Sequence, residues 1–278
     1  MASVQELLDR SAFSAFQKSV FAMCFLIVLS DGFDTAAIGY VAPALVTEWG
    51  VAKPHLAPVL SAALFGLAAG ALGSGPLADR FGRKRVLVAS VFVFALGSLA
   101  CAQAGGLDAL MIWRFVTGVG LGAAMPNAVT LISEYSPARS RAFITNAMFC
   151  GFPFGAALGG FLAAWLIPAF GWRSVFVAGG VAPLVLATFL VFFLPDSIRH
   201  MVARGVDPAR IRAVMARIAP EAAGIDSLAS PEPAAAQGEG ARVVLSPGLR
   251  LGTFMLWIAY FMGLVIFYAM INWLPLLL

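Results

Sequence analysis

Long runs of apolar residues, separated by short polar segments, make up most of the chain. Five of these runs contain no Asp, Glu, Lys or Arg, and they cover residues 56–78, 86–107, 142–170, 174–194 and 251–278. Each run has about 20 residues or more, and a helix of that length crosses the ~30 Å hydrocarbon core of a bilayer. The pattern therefore predicts membrane-spanning α-helices.

Two further apolar runs carry charges within them. Residues 19–47 contain Asp31 and Asp34, and residues 109–133 contain Arg114. With these two runs, the sequence predicts an all-α polytopic membrane protein with seven spans. The predicted units are a cytoplasmic N-terminus (1–18), a six-helix transmembrane bundle (19–194), a cytoplasmic linker (195–249) and a seventh transmembrane helix (250–278). Within the bundle the spans are predicted at 19–47, 56–78, 86–107, 109–133, 142–170 and 174–194.

The composition supports this class and excludes two others. Apolar residues make up 61% of the 278 residues and charged residues only 12%, whereas soluble domains have about 25% charged residues. A soluble globular protein would have no place for so much apolar surface. Disorder is excluded as well, because it requires low hydrophobicity and high charge.

The distribution of basic residues predicts the orientation of the spans. Fifteen of the 18 Lys and Arg residues lie on the side of the N-terminus and the long linker, two lie on the other side, and Arg114 lies within a span. Because loops rich in Lys and Arg stay in the cytoplasm, we expect a multi-pass protein of the inner membrane with a cytoplasmic N-terminus. The net charge of +4 is explained by this topology and needs no nucleic-acid partner.

The charges within the spans are the main candidates for chemistry. Asp31 and Asp34 are three residues apart and share one helix face, and neighbouring carboxylates in a poorly hydrated site favour proton binding. At 1.5 Å per residue, all three charges lie ~20–24 Å from the cytoplasmic ends of their spans, so they are expected to meet if the first and fourth spans face each other. Arg114 also suits a carboxylate substrate. The alternatives are a purely structural ion pair, or an Arg114 side chain that reaches toward the membrane surface.

Several short motifs resemble those of one family. Residues 75–85 read GPLADRFGRKR, whose glycines predict a tight turn, and they resemble the signature cytoplasmic loop of the major facilitator superfamily. Residues 114–127, beginning RFVTGVGLG, resemble its second motif, and PDSIR at 195–199 resembles the segment after its sixth helix. DGFD at 31–34 and NWLP at 272–275 resemble the aromatic acid:H+ symporter family within it. The resemblance implies the superfamily fold, here as an N-terminal six-helix bundle, a linker and helix 7, with an incomplete second half.

The resemblance also implies roles for individual residues. Asp31 and Asp34 are expected to couple transport to protons, and Arg114 to bind the substrate anion or relay charge to the aspartates. The residues expected to form the inner gate are Gly75, Asp79, Arg80, Gly82 and Arg83. Independently of the resemblance, Phe33, Tyr40, Asn272 and Trp273 are candidates to bind the substrate, and Phe149, Phe152 and Tyr268 are further candidates for stacking on its ring; packing is the alternative for each aromatic residue. In the family the gating Asp contacts the second half, so further C-terminal helices are expected to complete the transporter.

The leading hypothesis is proton-coupled symport of a small aromatic carboxylate, such as 4-hydroxybenzoate or benzoate, by alternating access. The proton is the coupling ion, and no other cofactor, metal site or catalytic residue is expected; the partners are the substrate, the proton and the lipid bilayer. The alternatives are another porter of the superfamily, for sugars, organic acids or drugs, and a truncated inactive fragment. A retinal-binding receptor is disfavoured because residues 251–278 contain no Lys. A membrane enzyme is disfavoured because the spans lack a His, Cys and Ser constellation.

Overall fold

Helices account for nearly all of the described structure. The computed structural model describes residues 2–3, 9, 13–198, 201, 206–218, 228–229 and 245–277. Its helices are α1 (Ala15–Trp49), α2 (Ala57–Phe81), α3 (Arg83–Cys101), α4 (Leu107–Glu134), α5 (Arg141–Phe149), α6 (Gly151–Phe170), α7 (Arg173–Phe193), α8 (Pro208–Ala216) and α9 (Arg250–Leu277). A 3₁₀ turn at Lys53–Leu56 precedes α2, and the two-residue strands β1 (Ala2–Ser3) and β2 (Leu228–Ala229) pair in parallel.

Seven helical segments among the described residues are long and apolar enough to cross a membrane. The fifth combines α5 and α6, which are interrupted at Cys150, and the seventh lies in α9. The predicted all-α fold, with six spans followed by a seventh, is confirmed. Because α1 has 35 residues and about 20 suffice to cross the hydrocarbon core, α1 extends beyond that core.

The start of α1 is fixed by a reciprocal pair of hydrogen bonds. Ser14 Oγ accepts from the Gln17 amide at 3.3 Å, and the Gln17 side chain accepts from the Ser14 amide at 2.8 Å. This capping box satisfies amide donors that the first turn of a helix leaves open. Gln17 Nε2 also donates to the Tyr135 carbonyl at 2.6 Å, which ties the start of α1 to the end of α4.

Glycines allow α2 and α4 to cross with their backbones in contact. A Cβ added to Gly66 would lie 2.1 Å from the Phe115 carbonyl oxygen, and one added to Gly118 would lie 2.1 Å from the Ala63 carbonyl oxygen. No side chain fits at such distances. The spacing of small residues along both helices therefore sets how closely they approach.

Glycines also allow α1 and α6 to cross with their backbones in contact. A Cβ on Gly32 would lie 2.0 Å from the Phe152 carbonyl oxygen, and one on Gly155 would lie 1.9 Å from the Leu29 carbonyl oxygen. These helices are the first span and part of the fifth, whereas α2 and α4 are the second and fourth. If spans 1–3 and spans 4–6 are equivalent repeats, the pair of spans 1 and 5 corresponds to the pair of spans 4 and 2. The two crossings therefore agree with the inverted repeats that are common in transporters.

The turn between α2 and α3 consists of a single residue. Gly75 and Pro76 lie inside α2, which continues to Phe81, and α3 begins at Arg83. Gly82 alone makes the turn, with a φ of 94° that side chains strongly disfavour. The expectation that Gly75 contributes to the turn is therefore wrong, because one residue with positive φ is sufficient to redirect the chain.

A cluster of polar side chains joins three segments at the end of the bundle where α1 begins. Arg83 Nε lies 3.3 Å from Glu134 Oε1, and Ser197 Oγ donates a hydrogen bond to Glu134 Oε2. The Tyr135 hydroxyl donates to the Asp196 carbonyl at 2.7 Å. Burial, with a smaller contribution from Glu134, raises the pKa of the Tyr135 phenol. The phenol therefore stays protonated and keeps this hydrogen bond.

A second polar cluster closes the opposite end of α1. Glu48 accepts hydrogen bonds from Trp172 Nε1 and from Arg173 Nη1, each at 2.6 Å. The Trp49 and Trp172 rings also pack edge to face, with centroids 5.4 Å apart. These contacts join the end of α1 to the start of α7, so both ends of α1 are anchored.

Candidate functional site

A buried ion pair joins α1 and α4 inside the bundle. Arg114 Nη1 lies 2.7 Å from Asp34 Oδ2, and both side chains are only 1% exposed. Arg114 Nη2 also donates to the Asp34 carbonyl oxygen at 3.3 Å, and the guanidinium lies 5.8 Å from the centroid of the Phe176 ring. The first and fourth spans thus place these two charges at one depth, as the rise per residue predicts.

Unsatisfied polar atoms remain beside this pair. Asp34 Oδ1 and Arg114 Nε have no hydrogen-bond partner among the described residues, and the same holds for Oδ1 of Asn272 on α9. Arg114, Asn272 and Thr35 line a cavity of about 10 Å³, which is roughly the space that one water molecule needs. A carboxylate does not fit there. Direct binding of a substrate anion by Arg114 therefore requires this cavity to open.

Asp31 faces a different and much larger space. It lies one turn before Asp34 on α1 and lines an open cleft of about 530 Å³. Its Oδ1 accepts a hydrogen bond from Thr35 Oγ1 at 3.2 Å. None of the described residues forms a salt bridge with it. The structure therefore separates the two aspartates: Asp34 is paired with Arg114, whereas Asp31 presents its carboxyl group to the cleft.

Aromatic side chains form two walls of this cleft. Phe152 on α6 and Phe267 on α9 pack with ring centroids 5.6 Å apart, and Tyr268 packs edge to face on Phe267 at 5.5 Å. Phe149 and Tyr260 extend the aromatic lining. The cleft volume lies within the ~300–1,000 Å³ that is common for small-molecule sites. Flat apolar walls beside a single carboxyl group suit a planar ring with few polar substituents.

Two aromatic residues that line the cleft, Tyr260 and Phe267, were not among the predicted stacking residues. Tyr260, Leu264, Phe267 and Tyr268 follow each other at spacings of four, three and one along α9, which places them on one helix face. This periodic aromatic face was available in the sequence. The spacing alone does not show which face of α9 meets the bundle, so the sequence could not assign these residues to the cleft.

Phe33 and Tyr40 lie away from the cleft. The Phe33 ring packs on the glycine backbones of α6 and α7, where Cβ atoms on Gly159 and Gly179 would lie 3.3 and 2.9 Å from it. The Tyr40 hydroxyl donates to the Ala156 carbonyl at 3.0 Å. Because Phe33 is two residues from Asp31, it points about 200° away around α1. The structure therefore does not bring these two predicted residues to the substrate site.

The two predicted residues on α9 have different outcomes. Asn272 is 4% exposed, and its backbone approaches α1 at Gly39, where an added Cβ would lie 2.7 Å from the Ile271 carbonyl oxygen. Asn272 thus lies beside Arg114 in the small cavity described above. The side chain of Trp273 lies outside the described residues.

The predicted gate residues occupy the last turns of α2 and the start of α3. Asp79 and Arg80 are exposed, and the Arg80 guanidinium lies 5.4 Å from the centroid of the Phe81 ring. A Cβ on Gly75 would meet no described atom within 4 Å. Arg83 differs from these residues, because it is held within the bundle by Glu134. The end of α2 thus presents a narrow, charged surface.

A sequence model of the Major Facilitator Superfamily matches residues 24–278. The chain belongs to the Major Facilitator Superfamily. The fold agrees with this assignment. The xylose transporter XylE from E. coli, in a partially occluded inward-open conformation, matches with a TM-score of 0.65 at 20% identity, over 75% of this chain and 57% of that one.

Similar curated proteins are transporters of aromatic acids by name. The 4-hydroxybenzoate transporter PcaK of Acinetobacter baylyi is 50% identical over 275 residues, which cover 98% of this chain and 60% of that protein. The gallate transporter of Pseudomonas putida is 46% identical, over 99% of this chain and 61% of that protein. The benzoate transport protein of A. baylyi is 32% identical, over 98% and 60%.

Two conclusions follow from these similarities. The chain spans about 60% of the length of the curated relatives it matches. Its relatives are named as transporters and not as enzymes, and the seven apolar helices among its described residues make it a multi-pass integral membrane protein.

Proposed function

We propose that this chain forms the N-terminal part of a proton-coupled symporter that carries a small aromatic carboxylate, such as 4-hydroxybenzoate or benzoate, across the inner membrane by alternating access. The observation that carries the proposal is Asp31, a carboxyl group without a salt-bridge partner among the described residues, in a cleft with aromatic walls. The names of the relatives support the substrate class.

Proton coupling follows from the charge that Asp31 presents to the cleft. An ionised Asp31 repels a carboxylate substrate, and the repulsion is strong where water is scarce. Protonation removes this charge, so the substrate binds together with a proton. When the cleft opens to the cytoplasm, loss of the proton restores the repulsion and drives the substrate out. The two species therefore cross the membrane together.

The Asp34–Arg114 pair connects this step to the rest of the bundle. Arg114 contacts the Asp34 carboxylate through Nη1 alone, since its Nη2 donates to the Asp34 backbone carbonyl, and its Nε has no partner among the described residues. A substrate carboxylate that reaches Arg114 competes with Asp34 for a bidentate contact. Asn272 on α9 covers the same cavity, so binding there is coupled to movement of α9. In this cycle Gly75, Asp79, Arg80, Gly82 and Arg83 form the inner gate that alternately locks and releases the two halves of the transporter.

The proposed orientation places the N-terminus and the 195–249 segment in the cytoplasm. Its support is the excess of Lys and Arg on that side. Helices beyond the matched region of the relatives supply a further wall of the cleft and the partner of the gate.

The test uses a chimera, because the relatives are longer than the chain. The chain is joined to the C-terminal remainder of the 50%-identical 4-hydroxybenzoate transporter and reconstituted into liposomes. We expect accumulation of labelled 4-hydroxybenzoate only when the outside is acidic, and competition by benzoate but not by phenol. The chain alone is assayed in parallel, which distinguishes an inactive fragment from a wrong assignment. Accumulation without a pH gradient, or uptake of xylose in place of the aromatic acid, contradicts the proposal.

A further inference from the structure

An apolar groove runs along the outer surface between α1 and α7. Its volume is about 660 Å³, and its walls include Leu26 on α1 and Val185, Phe189 and Phe193 on α7. These four side chains are between 44% and 62% exposed. The groove is therefore an indentation in the surface of the bundle that is not filled by the described residues.

The groove lies on the opposite side of α1 from α9. Leu26 in the groove and Thr35 at the α9 side are nine residues apart, which places them about 180° apart around a helix. The cleft and the groove are therefore separate, and the groove faces the lipid side of this bundle. A ligand in this groove would therefore come from the membrane and would not share the site of the proposed substrate.

The length of the groove matches one leaflet. Its lining residues extend from Ser19 to Ser30 on α1 and from Ala182 to Phe193 on α7. Eleven residues rise about 16 Å, which is half of the ~30 Å hydrocarbon core. The hydroxyls of Ser19 and Ser30 donate to carbonyls of their own helix, at 2.7 and 2.8 Å. The groove thus offers an apolar surface of acyl-chain length.

A positive charge lies at one end of the groove. Arg217, just after α8, lines the groove, and its guanidinium lies 4.1 Å from the centroid of the Phe16 ring. This stacking fixes the guanidinium in place, and none of the described residues forms a salt bridge with it. Lys18, next to Ser19, is exposed at the same end of α1. A phosphate group complements these charges.

We propose that this groove binds an anionic phospholipid, with one acyl chain between α1 and α7 and the phosphate group at Arg217. In the proposed orientation this lipid belongs to the cytoplasmic leaflet, where anionic headgroups attract basic residues next to the membrane. The bound lipid joins α8 to the first and sixth spans.

Native mass spectrometry of the purified chain in detergent tests the charge at the headgroup end. The probes are dioleoyl phosphatidylglycerol and dioleoyl phosphatidylcholine, which differ in headgroup charge but not in acyl chains. We expect tighter binding of phosphatidylglycerol, and about fivefold weaker binding by Arg217→Gln, which corresponds to about 1 kcal/mol. The matched control is Arg139→Gln, an exposed arginine in the loop before α5, which leaves binding unchanged. An equal loss of phosphatidylglycerol binding in both variants overturns the proposal, because it indicates a general effect of the protein's positive charge.

A second pair of variants tests the acyl chain. Ala182→Phe fills the groove and weakens binding of both lipids, whereas Ala164→Phe on the exposed surface of α6 does not. Unchanged binding by Ala182→Phe overturns the proposal. The proposal is also overturned if the wild-type chain forms a dimer that the Ala182→Phe variant does not form, because a second copy of the chain would then occupy the groove. The measurement requires no transport, so its failure is distinguishable from failure of the proposed function.

Discussion

The buried Asp34–Arg114 pair gives a prediction whose magnitude follows from its burial. Asp34→Asn removes the ionic partner of a guanidinium that is 1% exposed. Loss of one partner from a buried ion pair costs about 3–5 kcal/mol, because the remaining charge is desolvated and uncompensated. Replacing both partners removes this charge. The double variant Asp34→Asn/Arg114→Gln is therefore expected to regain most of the lost stability.

Thermal unfolding in detergent measures this effect. A thiol-reactive dye reports unfolding in a Cys150→Ser background, since Cys24 and Cys101 are buried in the folded chain whereas Cys150 is exposed. A loss of 3–5 kcal/mol lowers the midpoint by roughly 10 °C in a domain of this size. The control is Arg173→Gln, which breaks a pair that is 43% and 44% exposed and changes the midpoint little, because exposed pairs are well solvated. A double variant that unfolds as early as Asp34→Asn would refute the reasoning.

Three further predictions concern the proposed transport and the packing. Asp31→Asn in the chimera should keep exchange of substrate across the membrane and lose accumulation driven by a pH gradient; retained accumulation would remove Asp31 from the coupling step. Tyr268→Leu should raise the KM for 4-hydroxybenzoate about two- to tenfold, because an aromatic contact contributes about 0.5–1.5 kcal/mol, and an unchanged KM would place the ring elsewhere. Gly70→Val should lower the unfolding midpoint and Gly73→Val should not, because an added Cβ lies 2.1 Å from the Val119 carbonyl oxygen at Gly70 and meets no described atom within 4 Å at Gly73.

The sequence predicts those features that depend on distance along a helix. The depth of Asp34 and Arg114 follows from a fixed rise per residue, and the 2.7 Å contact agrees with it. The number of spans follows from their length and apolar character. The motif loop was a weaker guide to local structure, since the single turn residue is Gly82, and Gly75 continues the helix.

Features that depend on how helices rotate against one another could not be predicted in this way. Asp31 and Asp34 share one face, yet they differ by about 60° around the helix axis, and the placement of α4 and α9 decides which of them meets Arg114. Phe33 was predicted as a stacking residue, although its ring packs on the other side of α1 from the cleft. The burial of Asn272 depends on where α9 crosses α1, which no spacing in the sequence specifies.

The glycine crossings have a mechanical consequence. Where carbonyl oxygens meet bare α-carbons, as at Gly66 and Gly155, there is no side chain whose rotation could take up sliding of one helix along another. The paired spans, the first with the fifth and the second with the fourth, are therefore expected to move as rigid pairs. α9 lies outside both crossings and contacts the bundle near Gly39 and through the Phe152–Phe267 ring pair. In the proposed transport cycle, displacement of α9 relative to these pairs is therefore expected at those two contacts.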